Sequence, residues 1–208
     1  MRSSAVAGHA GAEIEWPADA QYGTATPAKI GMWVFLLSDA FSFAGLLIAY
    51  GILRGGHPIW RQPGEPLLGV SFTAALTLIL ICSSVTNVLA YAAAAEGKRR
   101  HASVLLALTA LGGVLFLVGQ YQEYFGIWGG GLVHEGLVFG RSPRASIFYV
   151  ITSFHGLHVF IGVLYIMVVL SAYAAGRAGL KQIELLGLFW CFVDFVWIFV
   201  FSFLYLIP

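Results

Sequence analysis

Two histidines stand three positions apart in the apolar stretch SFHGLHVFIG, residues 153–162. An imidazole can ligate a metal, carry a proton or hold a hydrogen bond. In hydrocarbon an ionisable side chain is costly, so one placed there is a functional candidate. The three-residue spacing puts His155 and His158 on one helix face. Asp39 and Asp194 are each the one charged residue of a long apolar run, and Glu123 closes another such run. Asp39, Glu123, His155, His158 and Asp194 are therefore the candidates for a proton or oxygen route, or for buried polar contacts.

Metal and haem chemistry fit these residues poorly. A haem spanning the membrane takes axial ligands from opposite sides, which two histidines on one face of one helix cannot supply. Cys82 and Cys191 lie in separate runs and form no paired-ligand motif. No nucleophile–base constellation, phosphate loop or zinc signature is present. No catalytic residue and no metal ligand is expected. The histidines read better as buried, hydrogen-bonded groups that fix helix contacts. Asp39 is open to two readings: a group on a proton or oxygen route, or a protonated structural acid. Asp194 reads as a partner across helices.

The elements that must position these groups are plain in the composition. The chain has 208 residues, is 59% hydrophobic and 10% charged, and has a mean hydropathy of +0.84. Soluble domains carry about 25% charged residues. Residues 67–95, 102–119 and 145–175 lack any Asp, Glu, Lys or Arg, while 30–51 and 185–207 hold one acid each. A bilayer span needs roughly 20 apolar residues. The expectation is an all-α membrane protein with five transmembrane helices in a bundle, at about 30–51, 67–95, 102–124, 145–175 and 185–207. They form one domain, 29–208, preceded by a polar tail, 1–28. That tail holds Glu13, Glu15, Pro17, Asp19 and Pro27 and has no apolar core, unlike a signal peptide.

The basic loop EGKRRH, residues 96–101, belongs in the cytoplasm by the positive-inside rule. Alternation then places Arg2, Lys29, Arg177 and Lys181 inside and Arg54, Arg61, Arg141 and Arg144 outside. The N-terminus is expected in the cytoplasm and the C-terminus outside. Lys98, Arg99, Arg100 and His101 either bind anionic lipid head groups or simply set topology. A net charge of +1 gives no reason to expect a nucleic-acid partner.

At 1.5 Å per residue, Asp39, His155 and Asp194 each lie about 15 Å into their spans, near mid-bilayer. They are expected to bond to one another, to Ser38, Ser42, Tyr149 or Thr152, or to a partner subunit. Glu123 lies about 33 Å from His101, at the outer boundary. Gly112 and Gly119 share a face of the third span, and Ser153 and Gly156 flank the histidines, as close helix packing requires. Trp33, Trp60, Trp128 and Tyr205 read as interfacial anchors, and Tyr165, Trp190 and Trp197 as packing.

With these residues placed, the chain resembles subunit III of the haem–copper respiratory oxidases, in its short five-helix bacterial form. The resemblance rests on KIGMWVFLLSDAFSF (29–43), EGKRRHASVLLALTALGGVLFLVGQYQEY (96–124), SFHGLHVFIG (153–162) and LFWCFVDFVWIFVFSFLYL (188–206). Larger members carry two further N-terminal helices. Many relatives have Glu where Asp39 stands, and Asp there also occurs in the quinol-oxidase branch. Relatives usually have His where Cys191 precedes the FVD motif.

The resemblance implies a bacterial cytoplasmic-membrane subunit of cytochrome c oxidase, with no redox centre of its own. Haem and copper would belong to catalytic subunit I and to subunit II. A small subunit or a larger supercomplex could join them. Implied roles are stabilising subunit I, holding phospholipid in a cleft and supporting proton uptake or oxygen access. Partner helices or lipid would cover the flank that the missing helices leave. The alternatives are subunit III of a quinol oxidase, a nitric-oxide-reductase accessory, a small proton transporter using Asp39, His155 and Asp194, or a membrane cytochrome.

Overall fold

A computed structural model describes residues 26–58, 60, 62–127 and 129–207. Most of the polar tail, Arg61 and Trp128 lie outside them. The described chain is helical: α1 Pro27–Gly56, α2 Val70–Ala95, α3 Arg99–Phe125, α4 Pro143–Ala174 and α5 Leu180–Phe201. The last turn, Ser202–Leu206, widens into a π-helix. Each of the five is long and apolar enough to cross a membrane.

The helix ends follow local chemistry. Pro27 and Pro143 stand in the first turns of α1 and α4, where a missing N–H costs no helical bond. Ser142 caps α4 by accepting from Ala145 N at 3.0 Å. α3 stops at Gly126, whose φ of +62° suits a residue without Cβ. The chain then folds back, so that Leu132 N and Val133 N donate to the carbonyls of Glu123 and Tyr124.

α2, α3, α4 and α5 pack against one another as the body of the bundle, and α1 leans on α4 and α5. Contacts at the ends establish the alternation. Lys29 pairs with Glu184, and the Arg99 guanidinium lies 5.2 Å from the Tyr173 ring centroid, at the end that carries the basic loop. Arg144 pairs with Glu65, and Arg54 donates to the carbonyl of Ile207, at the glycine-rich end.

Small residues permit the closest approaches. A Cβ on Gly113 would meet the Trp190 ring and Val163 at 2.6 Å, and one on Gly162 would meet the same ring at 2.8 Å. Trp190 is thus held between two glycines, and its indole N–H donates to Ser83 at 3.1 Å. Gly112 faces Ser83 and Gly119 faces Leu76. The outer surface is apolar, as lipid contact requires: Phe41 is 70% exposed and Ile52 69%. The expectation for Tyr205 is corrected. It is buried in the core rather than anchored at the interface, whereas Trp33 is exposed and Trp60 packs edge-on against Tyr50.

Candidate functional site

The two histidines share a helix face but not an environment. His158 reaches α1: its Nε2 lies 3.2 Å from Asp39 Oδ1, and its Nδ1 lies 2.8 Å from the carbonyl of Phe154. A carbonyl only accepts, so Nδ1 carries a hydrogen. One further proton then lies between Nε2 and Oδ1. Either the Asp39 acid donates to a neutral imidazole, or an imidazolium donates to the carboxylate. Both states are neutral overall, which spares the bilayer an isolated charge. Asp39 Oδ2 has no hydrogen-bond partner among the described residues.

His155 points into the bundle, where it is fully buried. Its ring stacks on Trp197 with centroids 4.8 Å apart, and Phe116 meets it edge-on at 5.7 Å. Neither ring nitrogen has a hydrogen-bond partner among the described residues. Phe43 lies near both histidines, 5.2 Å from His158 and 6.3 Å from His155. The expected hydrogen-bonded set at mid-bilayer is therefore narrower than its depth suggested. Asp39 joins His158 alone. Ser38 and Ser42 bond to carbonyls of their own helix, and Tyr149 donates to Leu137 O. Thr152 donates to Phe148 O and accepts from Tyr124.

Asp194 faces α2, with Ser84 across from it, and its Oδ1 has no partner. Glu123 stands in the last turn of α3, as its distance from His101 implies, but it is buried in protein. Thr73 donates to its Oε1 at 2.9 Å and Tyr205 to its Oε2 at 3.0 Å. Sequence reasoning missed Thr73 and Tyr205 as partners of that carboxylate. It also missed Gln120, which donates to Thr152 O and to the Tyr124 hydroxyl. Thr73 and Thr77, one turn apart on α2, were a usable signal: Thr73 meets Glu123 on α3 and Thr77 accepts from Trp197 on α5.

The basic group lies at the opposite end and is exposed. Lys98 Nζ is 2.6 Å from Glu96. The hydrogen bond from Lys98, then its charge, holds the Glu96 carboxyl below its ordinary range, and Glu96 in turn raises Lys98. Arg99 rests on Tyr173.

A cleft of about 600 Å³ separates α1 from α2, with α5 as its floor. Trp33, Leu36, Leu37 and Ala40 form one wall, and Asn87, Val88 and Tyr91 the other. Gly187, Cys191 and Phe195 are on the floor.

The family model for cytochrome c oxidase subunit III matches residues 19–207. The chain belongs to the cytochrome c oxidase subunit III family. It is 35% identical over 181 residues to cytochrome c oxidase subunit 3 of Synechocystis sp., covering 85% of this chain and 74% of that protein. It is 36% identical over 182 residues to the subunit 3 of Thermostichus vulcanus, covering 86% of each. Cytochrome bo(3) ubiquinol oxidase subunit 3 of Pseudomonas putida is also similar, 31% identical over 183 residues, covering 86% of this chain and 84% of that protein. The chain is thus an integral membrane subunit III of a haem–copper oxidase. In this chain the Asp39–His158 contact joins the SDAFSF and SFHGLHVFIG segments, which lie far apart in sequence.

Proposed function

We propose that this subunit serves a bacterial cytochrome c oxidase of the cytoplasmic membrane, with its N-terminus in the cytoplasm and its C-terminus outside. It holds no redox centre. Haem and copper belong to subunits I and II, to which it binds, and a small subunit or a supercomplex extends the assembly. Its own work is to brace the catalytic subunit, to hold phospholipid in the α1/α2/α5 cleft and to support proton uptake or oxygen access. The polar tail and the helical domain 29–208 are one functional unit.

The observation that carries this reading is the Asp39–His158 pair. A carboxyl and an imidazole that share one proton stay neutral whichever of them holds it, and the free carboxyl oxygen can accept a second proton as the first is handed on, so that relay leaves no bare charge. The apolar cleft supports a lipid role, and the exposed Lys98–His101 group suits anionic head groups.

Purification of the native complex through a tag on this chain tests the assignment. Haem absorbance, co-purifying subunits I and II and oxygen consumption with reduced cytochrome c are expected. A haem-free chain that purifies alone and conducts protons in vesicles would overturn it in favour of a transporter. The similarity to ubiquinol oxidase subunits sustains a second reading, with quinol as donor. A neighbouring subunit II without a copper-binding motif, and activity with quinol alone, would select it.

A further inference from the structure

The α1/α2/α5 cleft is apolar at its walls but not behind its floor. Asn87, only 1% exposed, lines the cleft, yet its Oδ1 has no hydrogen-bond partner. One turn further into the membrane on the same helix, Ser84 Oγ also has none. Opposite, on α5, Asp194 follows the cleft residue Cys191 by three positions and precedes the cleft residue Phe195. Its Oδ1 is buried and unpartnered as well. Ser84 lies beside Asp194, close enough for its hydroxyl to act on the carboxyl, though the pair falls outside strict hydrogen-bond geometry. A Cβ on Gly187 would come within 3.2 Å of the Asn87 amide, so only glycine leaves that amide room.

Unpartnered polar groups clustered behind one cavity are the setting in which buried water is held, because each water needs two to four polar partners. A dry arrangement would leave each group with its full desolvation cost. Asn87 lies about 12 Å from the basic-loop end of α2, a distance that a short file of water can span.

We infer that water enters the deep end of this cleft around Asn87, Ser84 and Asp194, and that Asp194 exchanges its proton with the aqueous phase on the basic-loop side. In the exchange the carboxyl O–H bond breaks, the proton passes to water as hydronium, and the carboxylate is solvated by Ser84 and water. The return step restores the acid. Charged groups nearby do not compete for this proton. Cys191 is the neighbour on the same helix. Lys29 and Glu184 pair with each other nearer the mouth, where Tyr91 also stands. Asp39 on α1 turns to His158. The inference takes its cleft from the proposed lipid site but not the lipid, and it is independent of any role of Asp39.

Infrared difference spectroscopy of the purified complex in native lipid tests it. A carboxyl C=O band is expected that Asp194→Asn removes, that changes amplitude with buffer pH and that shifts within seconds of transfer to D2O. If the Asn variant does not assemble, Asp194→Glu moves the band and supplies the assignment. Ser84→Val with Asn87→Leu dries the pocket and is expected to slow the shift by about an order of magnitude. A band that neither titrates nor shifts overturns the inference. So does unchanged exchange in the Ser84/Asn87 variant, or exchange seen only after lipid is stripped. Oxygen consumption by the same samples reports separately on membership of an oxidase.

Discussion

Tyr205, in the widened last turn of the chain, donates to Glu123 on α3 at 3.0 Å, so the C-terminal turn is pinned to a buried carboxylate. Thr73 on α2 holds the other oxygen of that carboxylate. Three helices meet on one side chain. Tyr205→Phe should therefore cost about 1–3 kcal/mol, because it leaves a buried acceptor unpaired. Unfolding of the purified chain in detergent, followed by helical circular dichroism, reads the loss. Stability within error of the parent would remove Glu123 as a structural centre.

Asp39 and His158 should be coupled more strongly than their separate losses. Asp39→Leu strands the imidazole and His158→Leu strands the carboxyl, whereas the double variant strands neither. A double-mutant cycle is expected to show a coupling of at least about 1 kcal/mol. Additive losses would mean that the 3.2 Å contact carries no energy.

Trp190 fills the space between Gly113 and Gly162. Gly113→Ala should overpack that site and cost about 1–3 kcal/mol. Gly45→Ala, where a Cβ meets nothing, should be neutral in the same melting assay. Equal effects at the two positions would count against the close packing described for α3, α4 and α5.

Glu65 gives the α1–α2 loop a pH dependence. Burial alone would raise its carboxyl, but hydrogen bonds with Ser142 and Arg144, the Gln62 N–H and the Arg144 charge outweigh burial and hold it below the ordinary range. A lowered folded-state pKa contributes stability above the unfolded value, about 4.3, that is lost as pH falls through the folded value. Hydrogen exchange in residues 62–69 should therefore rise on acidification below about pH 4. Glu65→Gln should already show fast exchange at neutral pH and lose that dependence.

Arg100→Ala should reduce retention of anionic phospholipid. Each basic residue near the surface contributes about 1 kcal/mol, less at high salt. Native mass spectrometry of the complex measures bound lipid. Retention equal to the parent at low salt would leave this loop with topology alone.

The five spans were legible because charge is excluded from the runs that must face hydrocarbon, and nothing local competes with that pattern. Position along each helix was legible as well: the fixed rise per residue placed Asp39, His155 and Asp194 near the middle of their spans and Glu123 at the end of its own. Rotation was not. Hydrophobic periodicity says little when every face of a helix is apolar, so the text could not say which neighbour a face meets. His155 and His158 illustrate this. The same spacing that put them on one face sends one to Trp197 and the other to Asp39. Glu123 and Tyr205 show the converse. Both sit near a boundary, where exposure is the ordinary outcome, and only the fold turns them towards each other.

The attachment of α1 has a consequence for how the chain is made. α1 precedes the other four described helices in the chain, but its fastenings lie on α4 and at both ends of the α5 segment, through His158, Glu184 and the carbonyl of Ile207. During synthesis α1 therefore gains its mid-helix latch with α4 and its two end latches only with α5. A chain truncated before α5 holds α1 by the Asp39–His158 contact alone and presents a half-latched helix to the machinery that clears unfinished membrane proteins.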